Sequence, residues 1–449
     1  MKNFFKKHVG AIILIIILLV FPTSLSDQAR LNMRIIVTGI AVDKTEDGYE
    51  VTAQIAKITP SSNSPGTSAT IDFISDTDET LSGAVSKLSY KAGKVAAFSH
   101  TNFVILGKSM LEEDVTKSLD YFIRDKFIKN SALLLFADGN AKDEIKKTKN
   151  IELSVGLGIQ KVYIYKERDG DGIMATVLEF LNRTKNFSKT ATASVFSLQS
   201  DQEQSSESSS GSESSGGDKN GGGGLESSSS SGSGGESQGS GGAGGGSSGS
   251  TGGGSSGSSG GSGGGSGGSQ ETQFFVPRSP IMCFVDGKFV GKLEDDKETL
   301  GYMLFNRKAK SIDLNIEVEE GDLKGTKLAI NIRRKNTTRK VRFENGKPCV
   351  DVKFEITNAD MNEILTSDII PDLSEEQFQV VVETIKKTVS ESISVCFEKA
   401  KSFGADVFDA YEQAFKFHYD ETMKHYNNES DFVKDLKLNV SVEVKKLDY

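Results

Sequence analysis

The sequence has few of the residues from which catalytic and metal centres are usually built. Its 449 residues include no tryptophan, four histidines and three cysteines. The cysteines, Cys283, Cys349 and Cys396, are widely spaced among apolar neighbours, and no CxxC or Cys/His cluster is present. An odd number of cysteines at such spacing is not a disulfide framework, and it does not indicate a metal site. We expect three buried thiols that behave as small apolar side chains.

Motifs of nucleophilic, nucleotide and calcium chemistry are also missing. Outside a Ser/Gly-rich tract no serine lies in a GxSxG elbow, and the GLG at 156–158 lacks the strand–glycine–helix context of a dinucleotide loop. The run RDGDG at 168–172 has Ile173 where a calcium loop needs an oxygen ligand, which favours a turn. His418 and His425 have no further ligand at metal-binding spacing. We predict no catalytic, cofactor-binding or metal site, and no enzyme.

A basic footprint is absent as well. The formal net charge is -9 at pH 7, and lysine and arginine are spread along the chain. Nucleic-acid-binding domains carry concentrated positive charge, so we predict no nucleic-acid partner. The densest positive stretch is RRKNTTRKVR at 333–342. Its default interpretation is a solvated hairpin edge that carries lysine and arginine; the alternative is contact with anionic lipid headgroups.

The long apolar run of this sequence lies at the amino terminus. Three lysines in the first seven residues precede an apolar stretch at 9–21, which barely reaches spanning length when it is extended to Leu25. A basic start before a short apolar run is typical of a signal peptide. Both interpretations export the chain beyond this segment, because the positive flank stays in the cytoplasm. We predict that 1–26 is a signal peptide or membrane anchor, and we favour the anchor.

A tract of serine and glycine at 201–272 divides the remaining chain. It cannot bury enough apolar surface to offset the entropy of ordering, so we predict a disordered linker. It is either a tether or a tolerated surface-loop insertion, and the second is favoured because closure entropy grows slowly with loop length. The tract separates a predicted amino-terminal domain at 27–200 from a carboxy-terminal domain at 273–449.

The amino-terminal domain alternates strand and helix patterns. RIIVTGIAVDK and YEVTAQIAKIT flank an Asp47-Gly48 hairpin signal. Leu81, Val85 and Leu88 have helical spacing after Thr77 and Thr80, either of which can cap a helix. Buried-type strands and amphipathic helices follow up to about residue 198. This order predicts a mixed α/β or α+β domain.

The carboxy-terminal domain combines a meander with one long helix. An Asp286-Gly287 turn begins it, and several segments with period-two alternation surround the ENGKP turn. A capping box of Ser374 and Gln377 opens a long amphipathic helix that ends near Gly404. A terminal strand closes the chain. The predicted fold class is therefore α+β, with mixed α/β modules, antiparallel-rich sheets and packed helices.

The segment GADVFDAYEQAF at 404–415 is the candidate site of this sequence. Its structural interpretation is a corner that holds the long helix against the sheet. In the functional interpretation, exposed members of the corner contact a partner protein. The candidate contact residues are Asp406, Asp409, Tyr411 and Glu412.

Five segments, in this order, resemble one known family. They are IIVTGIAVDK, TLSGAVSKLSYKAGKVAAFSHTNFVILGKSML, LDYFIRDKFIKNSALLLFADGNAKDEI, MCFVDGKFVGKLEDDKETLGYML and AKSFGADVFDAYEQAFKFHYDETMKHY. Their shared order across the chain is similar to the Ger(x)C family, the C subunits of nutrient germinant receptors of bacterial spores. The resemblance covers both globular regions and omits the Ser/Gly tract, which falls where the family passes to its last module.

The resemblance implies three mixed α/β modules and a non-enzymatic subunit at the outer face of the spore inner membrane. Its implied partners are the membrane A and B subunits, and its implied role is in signalling that a nutrient is present. Family members usually carry a lipid-modified cysteine, but Leu25 stands at that position and the first 282 residues contain no cysteine. The apolar segment must then serve as the anchor, or the protein is released. The alternative function is an exported, membrane-anchored binding or adhesion protein of the cell envelope.

Overall fold

The structure is a computed structural model, and it describes most of both regions that flank the Ser/Gly tract. The described residues are 33–60, 67–124, 128–148, 155–196, 198–200, 273–275, 278–365 and 373–448. The predictions for the amino-terminal apolar segment and for the Ser/Gly tract fall outside these residues. Within the described ranges, no helix combines the length and apolar character needed to cross a bilayer.

The first sheet is mixed and has the order β3-β2-β1-β5-β6, with β4 beside β1. Its strands are β1 Arg34–Thr45, β2 Gly48–Pro60, β3 Thr67–Asp78, β4 Val95–Ala97, β5 Phe103–Leu106 and β6 Leu133–Phe136. The first three are antiparallel, and β1, β5 and β6 run parallel to one another. The hairpin predicted at Asp47-Gly48 is present, and Gly48 has the positive φ of 129° that favours glycine. Strand β3 was not predicted from the sequence.

Five helices accompany this sheet. They are α1 Leu81–Ala92, α2 Val115–Arg124, α3 Ala141–Lys147, α4 Val155–Asp169 and α5 Val177–Lys185. Of the two predicted caps for α1, Thr80 is the one used, since its hydroxyl accepts from the Gly83 N–H at 3.0 Å. Of the run predicted as a turn at 168–172, the first two residues end α4, and the turn follows at Gly170, which has a φ of 82°.

The second sheet joins strands from both sides of the Ser/Gly tract. It has the order β11-β10-β7, built from β7 Thr190–Ser194, β10 Ile281–Val285 and β11 Lys288–Leu293. The short strands β8 Leu198–Ser200 and β9 Gln273–Phe275 pair with each other. The predicted turn between β10 and β11 is present, with positive φ at both Asp286 and Gly287, as two-residue hairpins require. The larger of two buried apolar clusters extends through the described residues from Val37 to Leu447, and the smaller contains Phe103 and Tyr163. The predicted domain boundaries at 200 and 273 stay a prediction. Strand β7, before these boundaries, pairs with β10, after them, in one sheet.

The third sheet contains two long strands. Its order is β12-β13-β14-β15, from β12 Ile312–Glu317, β13 Lys327–Glu344, β14 Lys347–Leu365 and β15 Lys437–Val444, and β16 Leu447–Asp448 pairs with β14. The first three strands are antiparallel, as the predicted meander requires, and β15 is parallel to β14. The sequence suggested two strands where β13 is one strand interrupted by shifts of register.

The second set of helices is dominated by α7. The set comprises α6 Asp296–Phe305, α7 Glu375–Ser402, α8 Ala410–Phe417, α9 Tyr419–His425 and α10 Glu429–Asp435. The predicted capping box of Ser374 and Gln377 is present at the start of α7. The single helix expected after Gly404 is two helices, because His418 leaves helical geometry at a φ of -135°. All three cysteines are buried, as expected, and the α+β fold class is confirmed.

Candidate functional site

The corner at 404–415 begins where α7 ends. Gly404 has a φ of 72°, the left-handed conformation in which glycine terminates helices. The chain then runs through buried residues to Asp406, whose side chain is 2% exposed. The two carboxylate oxygens of Asp406 accept hydrogen bonds from the Ala410 and Tyr411 N–H groups, each at 2.8 Å. Asp406 therefore satisfies the free N–H groups at the start of α8 and fixes the direction in which this helix leaves the corner.

Asp409 is the acid that joins the two regions of the chain. It stands at the N-cap position of α8 in a left-handed conformation, with a φ of 50° and a ψ of 36°. Its carboxylate does not cap the helix. It instead accepts from both terminal nitrogens of Arg183, at 2.7 and 3.2 Å, and from Nη2 of Arg339 at 3.3 Å. Arg183 belongs to α5 and Arg339 to β13, so one carboxylate pairs with two arginines from distant parts of the sequence.

A buried pair of acids lies behind this junction. The Thr190 hydroxyl accepts from the Asp406 N–H at 3.0 Å and donates to Oε1 of Glu429 at 3.3 Å. Burial, together with the negative charge of Asp409, raises the pKa of Asp406 to about 6. Burial, together with the negative charge of Asp406, raises the pKa of Glu429 to about 8. Near neutral pH the junction therefore keeps a proton on Glu429, because a second unpaired charge is unfavourable there.

The other two candidate residues are also bonded within the chain. Tyr411 is 7% exposed, and its ring meets the Phe432 ring edge to face at 5.2 Å. Glu412 accepts from Nδ2 of Asn186 at 3.3 Å and pairs with Lys416. The structural interpretation of the corner thus accounts for all four side chains, and their contact with a partner stays a prediction. Arg183 and Arg339 were not predicted, since no local pattern links residues so far apart.

Exposed apolar side chains surround the corner, and we call them the corner patch. Phe417, Tyr419, Met423 and Phe187 are 73%, 52%, 41% and 46% exposed. Phe187 stacks on Phe415 with ring centroids 4.2 Å apart, and Phe415 meets the Tyr419 ring at 5.0 Å. The corner patch is these five residues. It extends over α8, α9 and the loop after α5, and the Asp409 bridge joins the start of α8 to α5.

A small cavity of about 280 Å³ opens on the other side of the bridge. Its walls include Arg183, Arg339 and Asp409, together with Glu179 and Lys308. The charges named here are paired with one another, because Lys308 contacts Glu179 at 2.7 Å and Asp409 holds both arginines; Arg307, which also lines the cavity, has no ion pair within the described residues. The volume lies at the low end for small-molecule pockets, and the paired groups are not left free for a ligand.

Comparisons with known proteins agree on one biological process. A family model described as a spore germination protein N-terminal domain matches residues 27–198. A second, described as spore germination B3/GerAC like, C-terminal, matches residues 280–446. The two models follow each other along the chain and leave out the Ser/Gly tract.

Individual relatives are more distant. Spore germination protein B3 of Bacillus subtilis (strain 168) is 34% identical over 113 residues, which are 24% of this chain and 29% of that protein. The putative spore germination protein YfkR of the same organism is 26% identical over 153 residues, 33% of this chain and 40% of that protein. Both alignments span less than half of the relative. The crystal structure of the GerBC protein has 14% identity and a TM-score of 0.48, covering 91% of this chain and 96% of that one.

Proposed function

Because the chain belongs to the Ger(x)C family of spore germination proteins, we propose that it is a non-enzymatic subunit of a nutrient germinant receptor. It acts at the outer face of the spore inner membrane, together with membrane A and B subunits. The observation that carries this proposal is the match of two spore germination domains, in order, to residues 27–198 and 280–446. The function is then one of contact and conformational coupling.

The bonding at the corner supports a role without chemistry. The Asp406 carboxylate caps a helix, and the Asp409 carboxylate bridges Arg183 and Arg339. Groups bound in this way hold parts of the chain in place, whereas a catalytic base must reach a substrate proton. The same bonds make the corner a rigid support for the side chains around it.

We propose that the corner contacts a membrane partner through the corner patch. That surface would then be held in position by the four residues of the corner, Asp406, Asp409, Tyr411 and Glu412. Contiguous exposed apolar side chains mark interaction surfaces in soluble domains, and aromatic residues are enriched in the centres of such interfaces. Phe417, at 73% exposure, is the apolar side chain of the patch most available to a partner.

Attachment to the membrane is proposed through residues 1–26. Leu25 occupies the position of the family's lipid-modified cysteine, and the sequence has no cysteine before Cys283. A retained apolar segment would then replace the lipid as the anchor. The missing cysteine is also the observation that favours the alternative function, which is that of an exported envelope protein for binding or adhesion.

The test is a deletion strain complemented with variants. Spores without the gene should fail to release dipicolinate in response to one class of nutrient and respond normally to others. The double variant Phe417→Ser/Tyr419→Ser should restore less of that response than the wild type and co-purify with less of the membrane partners. The matched control is Tyr90→Ser, since Tyr90 is 83% exposed and lies on α1, away from the corner patch.

Two results would overturn the proposal. One is a deletion strain that responds normally to every nutrient while the protein is absent from the spore membrane fraction, which would favour the envelope function. The other concerns the surface alone. If the corner variant and the Tyr90 variant behaved alike, the corner patch would not be the partner surface.

A further inference from the structure

A basic cleft of about 780 Å³ lies on the third sheet, next to the end of α6. Its lining contains five cationic residues and no carboxylate; the cations are Arg307, Lys310, Arg333, Arg334 and Lys335. The remaining walls are Ala309, Asn336, Thr337, Thr338 and Thr357. Such a concentration of one sign of charge is unexpected in a protein with a net charge of -9.

Irregular pairing of β13 builds the cleft. The register between β13 and β14 shifts on both sides of Arg334, which faces Asn358. In a regular strand neighbouring side chains point to opposite faces, and a bulge alters this direction. Here Arg333 and Arg334 are adjacent in sequence and both exposed. Part of the basic run therefore forms a concave surface, where the sequence predicted only a solvated hairpin edge.

Two of the five cations already have partners. Arg333 pairs with Asp360, outside the cleft lining. The Lys335 ammonium group donates to the carbonyl oxygens of Leu304 and Asn306 at 2.6 Å each, and to that of Met303 at 3.3 Å. These carbonyls lie at the end of α6, where a cation is stabilising. Lys335 thus shapes the wall of the cleft and has no donor left for a ligand.

The other three cations have no acidic partner in the part of the chain that the structure describes. Arg307, Lys310 and Arg334 make no ion pair with any residue in the ranges that the structure describes. Burial, and then the positive charge of Lys310, lower the pKa of Lys335 to about 7. The cations of the cleft repel one another, and a bound anion would relieve this repulsion.

We propose that the basic cleft binds a phosphate group, with Arg307, Lys310 and Arg334 as its cationic contacts. A guanidinium group presents several donors in a plane and suits phosphate oxygens. The hydroxyls of Thr338 and Thr357 add neutral donors on the same wall. A phosphate monoester offers these donors three free oxygens and up to two negative charges, whereas a carboxylate or a phosphodiester offers two oxygens and one charge.

Two sources share this chemistry: the phosphodiester of a lipid headgroup and a soluble molecule that carries a phosphate. The proposal does not depend on the receptor function, since it rests on the cleft alone. Failure of phosphate binding would leave the receptor function untouched, and an unchanged germination response would leave the cleft proposal untouched.

The experiment uses the full chain in dodecyl maltoside, a detergent without phosphate, titrated with inorganic phosphate and with glycerol phosphate in a calorimeter. We expect saturable binding that weakens by about tenfold or more in Lys310→Gln/Arg334→Gln, because charge-assisted hydrogen bonds are lost. The matched control is Lys327→Gln/Lys340→Gln, which removes the same charge from exposed positions of β13 outside the cleft. It should bind phosphate as the wild type does.

A second arm separates the two sources. In nanodiscs that contain phosphatidylglycerol, a headgroup in the cleft should shift and broaden the lipid ³¹P signal for the wild type and the control, but not for the cleft variant. Soluble phosphate binding without this lipid effect assigns the cleft to soluble molecules. If neither arm detects binding, or if the control variant loses as much affinity as the cleft variant, the proposal is wrong.

Discussion

Two arginines of β13, five positions apart, have opposite surroundings. At the corner, Arg339 shares the Asp409 carboxylate with Arg183 and lies over the Phe305 ring, with 5.4 Å from the guanidinium carbon to the ring centroid. In the basic cleft, Arg334 is exposed and makes no ion pair within the described residues. On the same strand, one arginine is paired with a carboxylate and the other is not.

The difference follows the degree of burial. The side chains of Arg339 and Asp409 are 20% and 16% exposed. A charge removed from water to that extent needs an opposite charge and hydrogen bonds, or folding becomes unfavourable. Water solvates the charge of Arg334 in the open cleft, so nothing in folding requires a partner for it. The paired Arg339 therefore helps to hold the regions of the chain together, whereas the unpaired Arg334 remains available to a ligand.

The largest effect is expected from Asp409→Asn, which removes the carboxylate that pairs with Arg183 and Arg339. Asparagine tolerates the left-handed conformation at this position, so the variant removes the charge and leaves the backbone unstrained. Arg183 and Arg339 would then be half-buried without a carboxylate. We expect the free energy of unfolding to fall by roughly 2 kcal/mol, less than for a fully buried pair because water reaches these groups. The measurement is the urea midpoint at neutral pH.

Asp120→Asn is the control for this variant. Asp120 pairs with Arg124 on α2 at 2.8 Å, but the two side chains are 43% and 78% exposed. An exposed pair of this kind stabilises a helix by only about 0.3–0.5 kcal/mol. If both variants changed the urea midpoint by the same small amount, the Asp409 bridge would not hold the two regions together.

The second effect concerns pH and the acids behind the bridge. Burial raises the pKa of Glu429 to about 8 from 4.5, and that of Asp406 to about 6 from 3.8. Between these values the native state keeps protons that the unfolded chain has released. The contribution of both groups to stability is therefore fully present below about pH 4 and is lost as pH rises to about 6 for Asp406 and about 8 for Glu429. Glu429→Gln should flatten this part of the profile.

Unfolding in urea at pH 5, 6, 7 and 8 measures this effect. The advantage of the Gln variant over the wild type should grow with pH, since the variant never carries the unfavourable charge. Glu398→Gln is the matched control, because Glu398 is an exposed residue of α7, and it should keep the wild-type profile. A Gln variant of Glu429 with an unchanged pH profile would show that Glu429 is not protonated in the native state.

Local patterns predicted much of the fold. The turn at Asp286-Gly287 and the capping box at Ser374 act over a few residues, so the sequence displays them directly. Helix α4 was missed because its sequence, VGLGIQKVYIYKERD, has no clear apolar stripe at helical spacing. The single helix expected after Gly404 was wrong for a related reason: the break at His418 is set by packing, which local propensity does not record.

The candidate site was predictable only as a segment. The sequence indicated the corner at 404–415, but the bond that explains Asp409 joins it to Arg183, 226 residues earlier. Such a pairing depends on the assembled fold, and the spacing of residues along the sequence does not predict it. The same holds for the basic cleft. The charge of 333–342 was visible in the sequence, whereas its concave shape depends on the register shift beside Arg334.

The smallest effects are expected from replacing Arg339 and Arg334 one at a time. These two variants compare the paired and the unpaired arginine of β13 directly. Arg339→Gln loses an ion pair and a cation–π contact, and should lower the free energy of unfolding by about 1 kcal/mol. Arg334→Gln should change it by less than about 0.5 kcal/mol. At low salt the sign should be stabilising, because the variant removes repulsion with Arg307 and Lys310. At 1 M salt this small gain should vanish, since screening then acts within about 3 Å. Equal losses in the two variants would mean that Arg334 has a structural partner, and the contrast between the paired corner and the unpaired cleft would fail.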